Sequence, residues 1–112
     1  MAAYVIPLSS VLEDYQQRVE LDGSTYVLRF RLNRRMRAWF MDLMDSEESP
    51  IAMGRRCVVD TILAPHPFRD QRPPGALMLW DSTRAQRDPE TAEDFGSRVQ
   101  LLYFDAAEVA AL

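Results

Sequence analysis

The sequence predicts an all-β protein, a small single-domain β-barrel or sandwich of about six to seven antiparallel strands with long Pro-rich and acidic loops. Three observations carry this. Apolar and polar residues alternate with a period of two from Tyr15 to Leu21, and again from Ser24 to Leu32. Between these runs stands Asp22-Gly23, a pair suited to a type I′ hairpin turn, whose two central residues both need positive φ. No stretch shows a strong amphipathic-helix spacing.

The elements follow in order. Tyr4 to Leu8 reads as a short extended segment, because Pro7 has no N–H to give to a central ladder. Residues 9–14 are a polar connection into the hairpin. A two-residue turn sets the pairing: Leu21 faces Ser24, Val19 faces Tyr26, Gln17 faces Leu28 and Tyr15 faces Phe30. The opposite face then sets Asp14 against Arg31, Gln16 against Arg29 and Glu20 against Thr25. Residues 33–36 are a polar turn, and 37–44 a strand apolar on both faces, with Trp39, Met41 and Leu43 on one side and Ala38, Phe40 and Met44 on the other. An acidic loop, 45–50, leads to a short return strand at 51–54, and 58–63 is expected to continue the sheet after Arg55-Arg56. Pro65, Pro67, Pro73 and Pro74 make 64–75 a loop, ordered by Phe68. Residues 76–81 read as a buried strand and 82–96 as a long acidic loop with a helical turn. Residues 97–104 are the last strand, in which Val99, Leu101 and Tyr103 share a face. The domain is expected over residues 1–105, with the Ala-rich residues 106–112 as a frayed tail or short docking helix.

At 112 residues the chain fits one domain, and 47% apolar content suffices for one core. No run nears the roughly 18 apolar residues of a membrane span, and the N-terminus shows no basic leader, so no secretory signal is expected. A single cysteine, Cys57, cannot make an internal disulfide. All thirteen basic residues are arginine, which a GC-rich genome explains; arginine also suits packed ionic contacts better than lysine.

The catalytic inventory is nearly empty. His66 is the only histidine, without cysteine or histidine companions at metal-ligand spacing. Cys57 lies beside Arg55 and Arg56, which would favour a thiolate, but it opens an apolar run where a free cysteine is a small hydrophobe. Asp42, Asp45, Glu47 and Glu48 lie in and around a turn, with no cleft to separate their pKa values. The expectation is therefore no enzyme, no cofactor and no metal.

One cluster stands out: Arg29, Arg31, Arg34, Arg35 and Arg37 fall close together, interleaved with apolar residues and followed by Trp39-Phe40. Arginines beside aromatics on a small β-barrel suit a single-stranded nucleic-acid binder, but the net charge of −4 argues against it. A protein–protein interface fits better. The arginines and Trp39 and Phe40 would meet acidic segments such as Glu47 and Glu48 on a neighbour, in a head-to-tail arrangement. The plainer reading is a set of solvated charges.

Five stretches occur together in order: Ile6-Pro7-Leu8, the hairpin from Leu21 to Leu28, Trp39-Phe40-Met41-Asp42-Leu43, Pro50-Ile51, and the closing run from Gly96 to Tyr103. In order, spacing and total length the chain resembles the baseplate plug family of small tail proteins from contractile-tailed cyanophages and related phages. The resemblance implies a structural virion protein at the junction of tail tube and baseplate hub. Its implied partners are tube, hub and neighbouring copies of itself, with assembly in the host cytoplasm and no membrane contact. It brings no catalytic residues. The Pro-rich stretch from Pro65 to Pro74 and the tail after Phe104 depart from the family pattern.

Overall fold

Two four-stranded antiparallel sheets face each other in a computed structural model that describes residues 3–63, 75–84, 87–95 and 97–105. The strands are β1 (Ala3–Ile6), β2 (Asp14–Leu21), β3 (Ser24–Asn33), β4 (Ala38–Asp45), β5 (Pro50–Arg56), β6 (Ile62–Leu63), β7 (Ala76–Asp81) and β8 (Val99–Phe104). Among the described residues a 3-10 turn spans Ala92–Asp94. One sheet is the meander β2-β3-β4-β5; the other has the order β1-β8-β7-β6. The arrangement is a sandwich, not a closed barrel, with eight strands among the described residues against the six to seven expected. Residues 64–74, which hold His66, Phe68 and the four clustered prolines, and the tail 106–112 lie outside the described residues.

The β2–β3 hairpin has the register its turn dictates, Leu21 opposite Ser24 through Tyr15 opposite Phe30. Asp22 and Gly23 adopt φ of 51° and 82°, as a type I′ turn requires. Because side chains alternate, this places Leu28 and Phe30 inward, fully buried, and Arg29 and Arg31 outward. β4 adds Trp39, Met41 and Leu43 to the inner face, all buried.

Beyond β5 the chain departs from the sequence expectation. β5 runs through Arg55 and Arg56 rather than stopping at Gly54. The Cys57 N–H still bonds to the Trp39 carbonyl at 2.8 Å, and then the chain leaves this sheet instead of continuing it. Val59 makes a bridge to Leu79 of the other sheet, Asp60 turns at φ 60°, and only Ile62 and Leu63 pair with β7. Residues 57–63 thus carry the chain across one side of the sandwich, taking Cys57 and Val59 into the core.

Between the sheets lies an aromatic cluster. The Trp39 ring stacks on Phe95 with centroids 4.4 Å apart, and Phe30 meets Phe95 edge-on at 5.5 Å. Tyr15 closes the group against both Phe30 and Trp39. Each such pair adds about 0.5–1.5 kcal/mol beyond simple burial. The Trp39 indole N–H donates to the Thr91 carbonyl at 3.0 Å, so the long loop before β8 is pinned to the opposite sheet.

The same loop is held by a buried ion pair. Arg98 donates to Asp81 at 2.6 Å and also to the carbonyls of Arg87 and Asp88, while Asp81 further accepts from the Thr83 hydroxyl and N–H. Burial alone would raise the Asp81 carboxyl. The bonds from Thr83, the Arg87 N–H and Arg98 outweigh it and hold the group at about 2. Its contribution to stability is therefore complete above the ordinary carboxyl value of 3.8 and is lost as pH falls from there through about 2.

At the other end of the sandwich Tyr103 ties the sheets together: its hydroxyl donates to the Asp22 carboxylate in the hairpin turn and accepts the Gly75 N–H at 2.9 Å. Burial, and then the bond to Asp22, raise the Tyr103 hydroxyl well above its usual range.

Two outcomes are expected. A methyl group on Gly75 would stand 2.6 Å from the Tyr103 hydroxyl and closer still to the Phe104 carbonyl oxygen, so Gly75→Ala should cost about 1–3 kcal/mol in urea unfolding. Asp81→Asn should flatten the fall of melting temperature between pH 4 and pH 2 relative to the parent protein, read by circular dichroism.

Candidate partner interface

Across the outer face of the β2-β3-β4-β5 sheet, the register sets side chains in rows. One row runs Asp14, Arg31, Phe40, Arg56; the next, Gln16, Arg29, Asp42; the third, Arg18, Val27, Met44, Pro50. The ion pairs run diagonally between rows. Arg29 grips Asp14 with two bonds, of 3.0 and 2.8 Å, and Arg31 reaches Asp42 at 3.0 Å. The register sets Asp14 opposite Arg31 and Gln16 opposite Arg29 as the hairpin predicts, while the side-chain bonds run one row over, Arg29 to Asp14 and Arg31 to the Asp42 that β4 brings in. Asp42 is 2% exposed and lies in the middle of β4, not in a turn. Gly54, at φ 65°, aims its N–H at the same Asp42 oxygen over 2.7 Å, beside two register shifts between β4 and β5.

Arg34 pairs with Glu13 through two bonds of 2.7 and 2.6 Å. Hydrogen bonds from Arg34 and Arg29 hold the Glu13 and Asp14 carboxyls, respectively, below their usual values. An open groove of about 570 Å³ brings together Arg31, Arg34, Phe40, Glu13 and Asp14. Arg35 and Arg37 occupy the β3–β4 turn next to it. The Asn33 side-chain oxygen closes that turn on the Met36 N–H, and Arg37 sits at φ 52°. Both arginines are exposed and make no ion pair among the described residues.

Trp39 is corrected: it is fully buried in the core and offers nothing to a partner. Phe40, its neighbour on the outward side, is half-buried between Arg31 and Arg56. Glu47 and Glu48 lie at the far end of the same sheet, exposed, in a turn organised by Asp45, whose Oδ1 accepts the N–H groups of Glu47 and Ser49 at 2.9 Å each. Glu48 takes a bond from Gln16. The candidate residues therefore form two places, an arginine end and an acidic end, and not one patch.

Sequence reasoning missed Asp42 as the buried anchor of the arginine face, and Asp81 with Arg98 as a second one. A carboxylate in the middle of an otherwise apolar β4 was the available signal for the first. Arg55 was passed over as well; it lies where β5 ends, at the arginine end, and its Nε is buried without a hydrogen-bond partner. Cys57 is 1% exposed, and burial, with Asp88 adding to it, pushes its thiol up to about 12; the small-hydrophobe reading holds and the thiolate reading does not. Among the described residues no group of three or more His, Cys, Asp or Glu side chains is placed to hold a metal.

The described residues thus form a two-sheet β-sandwich with ion pairs built into it and charged side chains gathered at two ends. In a comparison with protein families, residues 3–106 match the family described as cyanophage baseplate Pam3 plug gp18, and the chain belongs to that family. Among curated proteins no relative matches. Membership gives the chain a structural role in a phage baseplate, at the tail of the virion, in association with other baseplate components.

Loss of Arg31 would strand the buried Asp42 carboxylate. Arg31→Leu should therefore lower unfolding free energy by about 1–3 kcal/mol. Arg29→Leu, which releases an exposed Asp14, should cost clearly less in the same urea titration.

Proposed function

We propose that the protein is a non-enzymatic adaptor at the junction of tail tube and baseplate hub, in contact with tube, hub and neighbouring copies of itself. It is assembled into the virion in the host cytoplasm. Residues 1–105 act as one β domain in this role. The observation that carries the reading, beside family membership, is the distribution of satisfied and unsatisfied charge. Arg29, Arg31 and Arg34 are neutralised within the fold and stiffen it. Arg35 and Arg37 at one end, and Glu47 and Glu48 at the other, are exposed and outside any ion pair among the described residues. Charges left open in this way steer and orient association more than they add affinity.

A second feature supports an assembly role. The outward positions of β1, β8 and β7 include Val5, Leu102, Phe104, Met78, Trp80 and Gln100, with no charged side chain among them. Val5 is 59% exposed and Trp80 39%. A continuous uncharged sheet face is a surface suited to being covered. The single-stranded nucleic-acid reading loses its support, since three of its arginines already hold carboxylates and Trp39 is inside.

Purified tails labelled with gold-conjugated antibody against this chain should show label at the baseplate end, and mass spectrometry of the same tails should contain it. Tails free of the protein, with the chain left in the lysate, would overturn the proposal.

A further inference from the structure

The topology of the β2-β3-β4-β5 meander sends alternate turns to opposite ends of the sheet. The β2–β3 and β4–β5 turns share one end, where Glu20, Asp22, Asp45, Glu47 and Glu48 lie, with Asp105 beside them in a groove lined also by Tyr4 and Tyr103. Arg18 is the one described basic residue there, and its guanidinium is spent on the Ser46 carbonyl at 2.9 Å. The β3–β4 turn and the end of β5 share the other end, where Arg34, Arg35, Arg37, Arg55 and Arg56 gather. Of the carboxylates at that end, Glu13 is taken by Arg34, and Glu90 lines a shallow groove with Arg37.

Arg35 and Arg37 at one end, and Glu47 and Glu48 at the other, are exposed and outside any ion pair among the described residues, with Glu48 turned back over β2 by the bond from Gln16. The two places are opposite in charge, and each presents what complements the other.

We infer that the acidic end of one copy docks on the arginine end of the next, in a head-to-tail contact along the strand direction, with Arg35, Arg37 and Arg56 meeting Glu47 and Glu48. The partner is a second copy because the complementary surface is on the same chain. The contact is heterologous: each copy uses two different surfaces, and the chain of contacts closes into a ring if the rotation between copies allows. This rests on the assembly reading above and assigns the surfaces and orientation that the reading leaves open.

The test uses the full chain, whose one native thiol, Cys57, is buried and unreactive. The double variant Arg35→Cys/Glu48→Cys and each single variant are treated with a short bismaleimide, both as concentrated protein at low salt and in purified tails. Covalent dimers and longer ladders in the double variant, with none in either single variant, are the expected result. Single variants that dimerise as well as the double would mean like ends meet, and absence of cross-links in both settings would mean that the ends do not meet; either overturns the inference.

A charge exchange gives an independent reading. Arg35→Glu/Arg37→Glu and Glu47→Arg/Glu48→Arg should each weaken self-association by about tenfold or more in sedimentation at low salt, and mixing the two should restore it. Failure of the mixture to recover would also count against the contact. Tails that lack the protein would instead defeat the tube–hub reading, leaving the solution experiments to decide the contact.

Discussion

The two-residue turn at Asp22-Gly23 is the constraint on which the other features depend. It leaves no freedom of register, and in a strand pair a slip of one residue turns every side chain over. With the register as found, Leu28 and Phe30 meet the core while Arg29 and Arg31 face out. A slip would put two guanidinium groups against Trp39 and Phe95. The turn also supplies the Asp22 carboxylate that receives the Tyr103 hydroxyl, so the element that sets one sheet's register also holds the second sheet against it.

Charge in this protein does two different jobs, separated by position. In the middle of the β2-β3-β4-β5 sheet and at the root of the loop before β8, arginine is structural: Arg31 compensates Asp42, and Arg98 gathers Asp81, Asp94 and two loop carbonyls. The planar guanidinium, with its five donors, makes these multiple contacts where a lysine would make fewer. In the β3–β4 turn, Arg35 and Arg37 form no ion pair among the described residues, and on the assembly reading proposed above they are left for partners. The absence of lysine, whatever its genomic origin, is compatible with both uses.

What could be read in the sequence was whatever local pattern encodes. The hairpin register and the strands at 76–81 and near 99–104 follow from alternation and turn chemistry within about ten residues. Family membership was legible from five short stretches in order. The division into two sheets was not, because residues 57–63 have the composition of a strand and only the long-range fit of Cys57 and Val59 into the core takes them across. Trp39 was placed on the surface for a related reason: β4 is apolar on both faces, and periodicity cannot say which face has Phe95 waiting for it. The Arg31–Asp42 pair escaped because it needs the third strand, and the Arg29–Asp14 pair because a rule for facing residues does not consider the diagonal.

The strand β1 lies at the edge of its sheet, one row of its backbone groups paired with β8 and the other with no strand beside it among the described residues. Its residues, Ala3–Ile6, carry no charge, and Tyr4 and Val5 are more than half exposed. Such an edge is a template for stray strand addition, and proteins commonly blunt it with a lysine or a proline. Here the strand is only four residues long and Pro7 follows directly, and both shorten the template that another chain could extend. Strand addition at this edge is therefore confined to a few backbone bonds, too few to hold a stray chain by themselves.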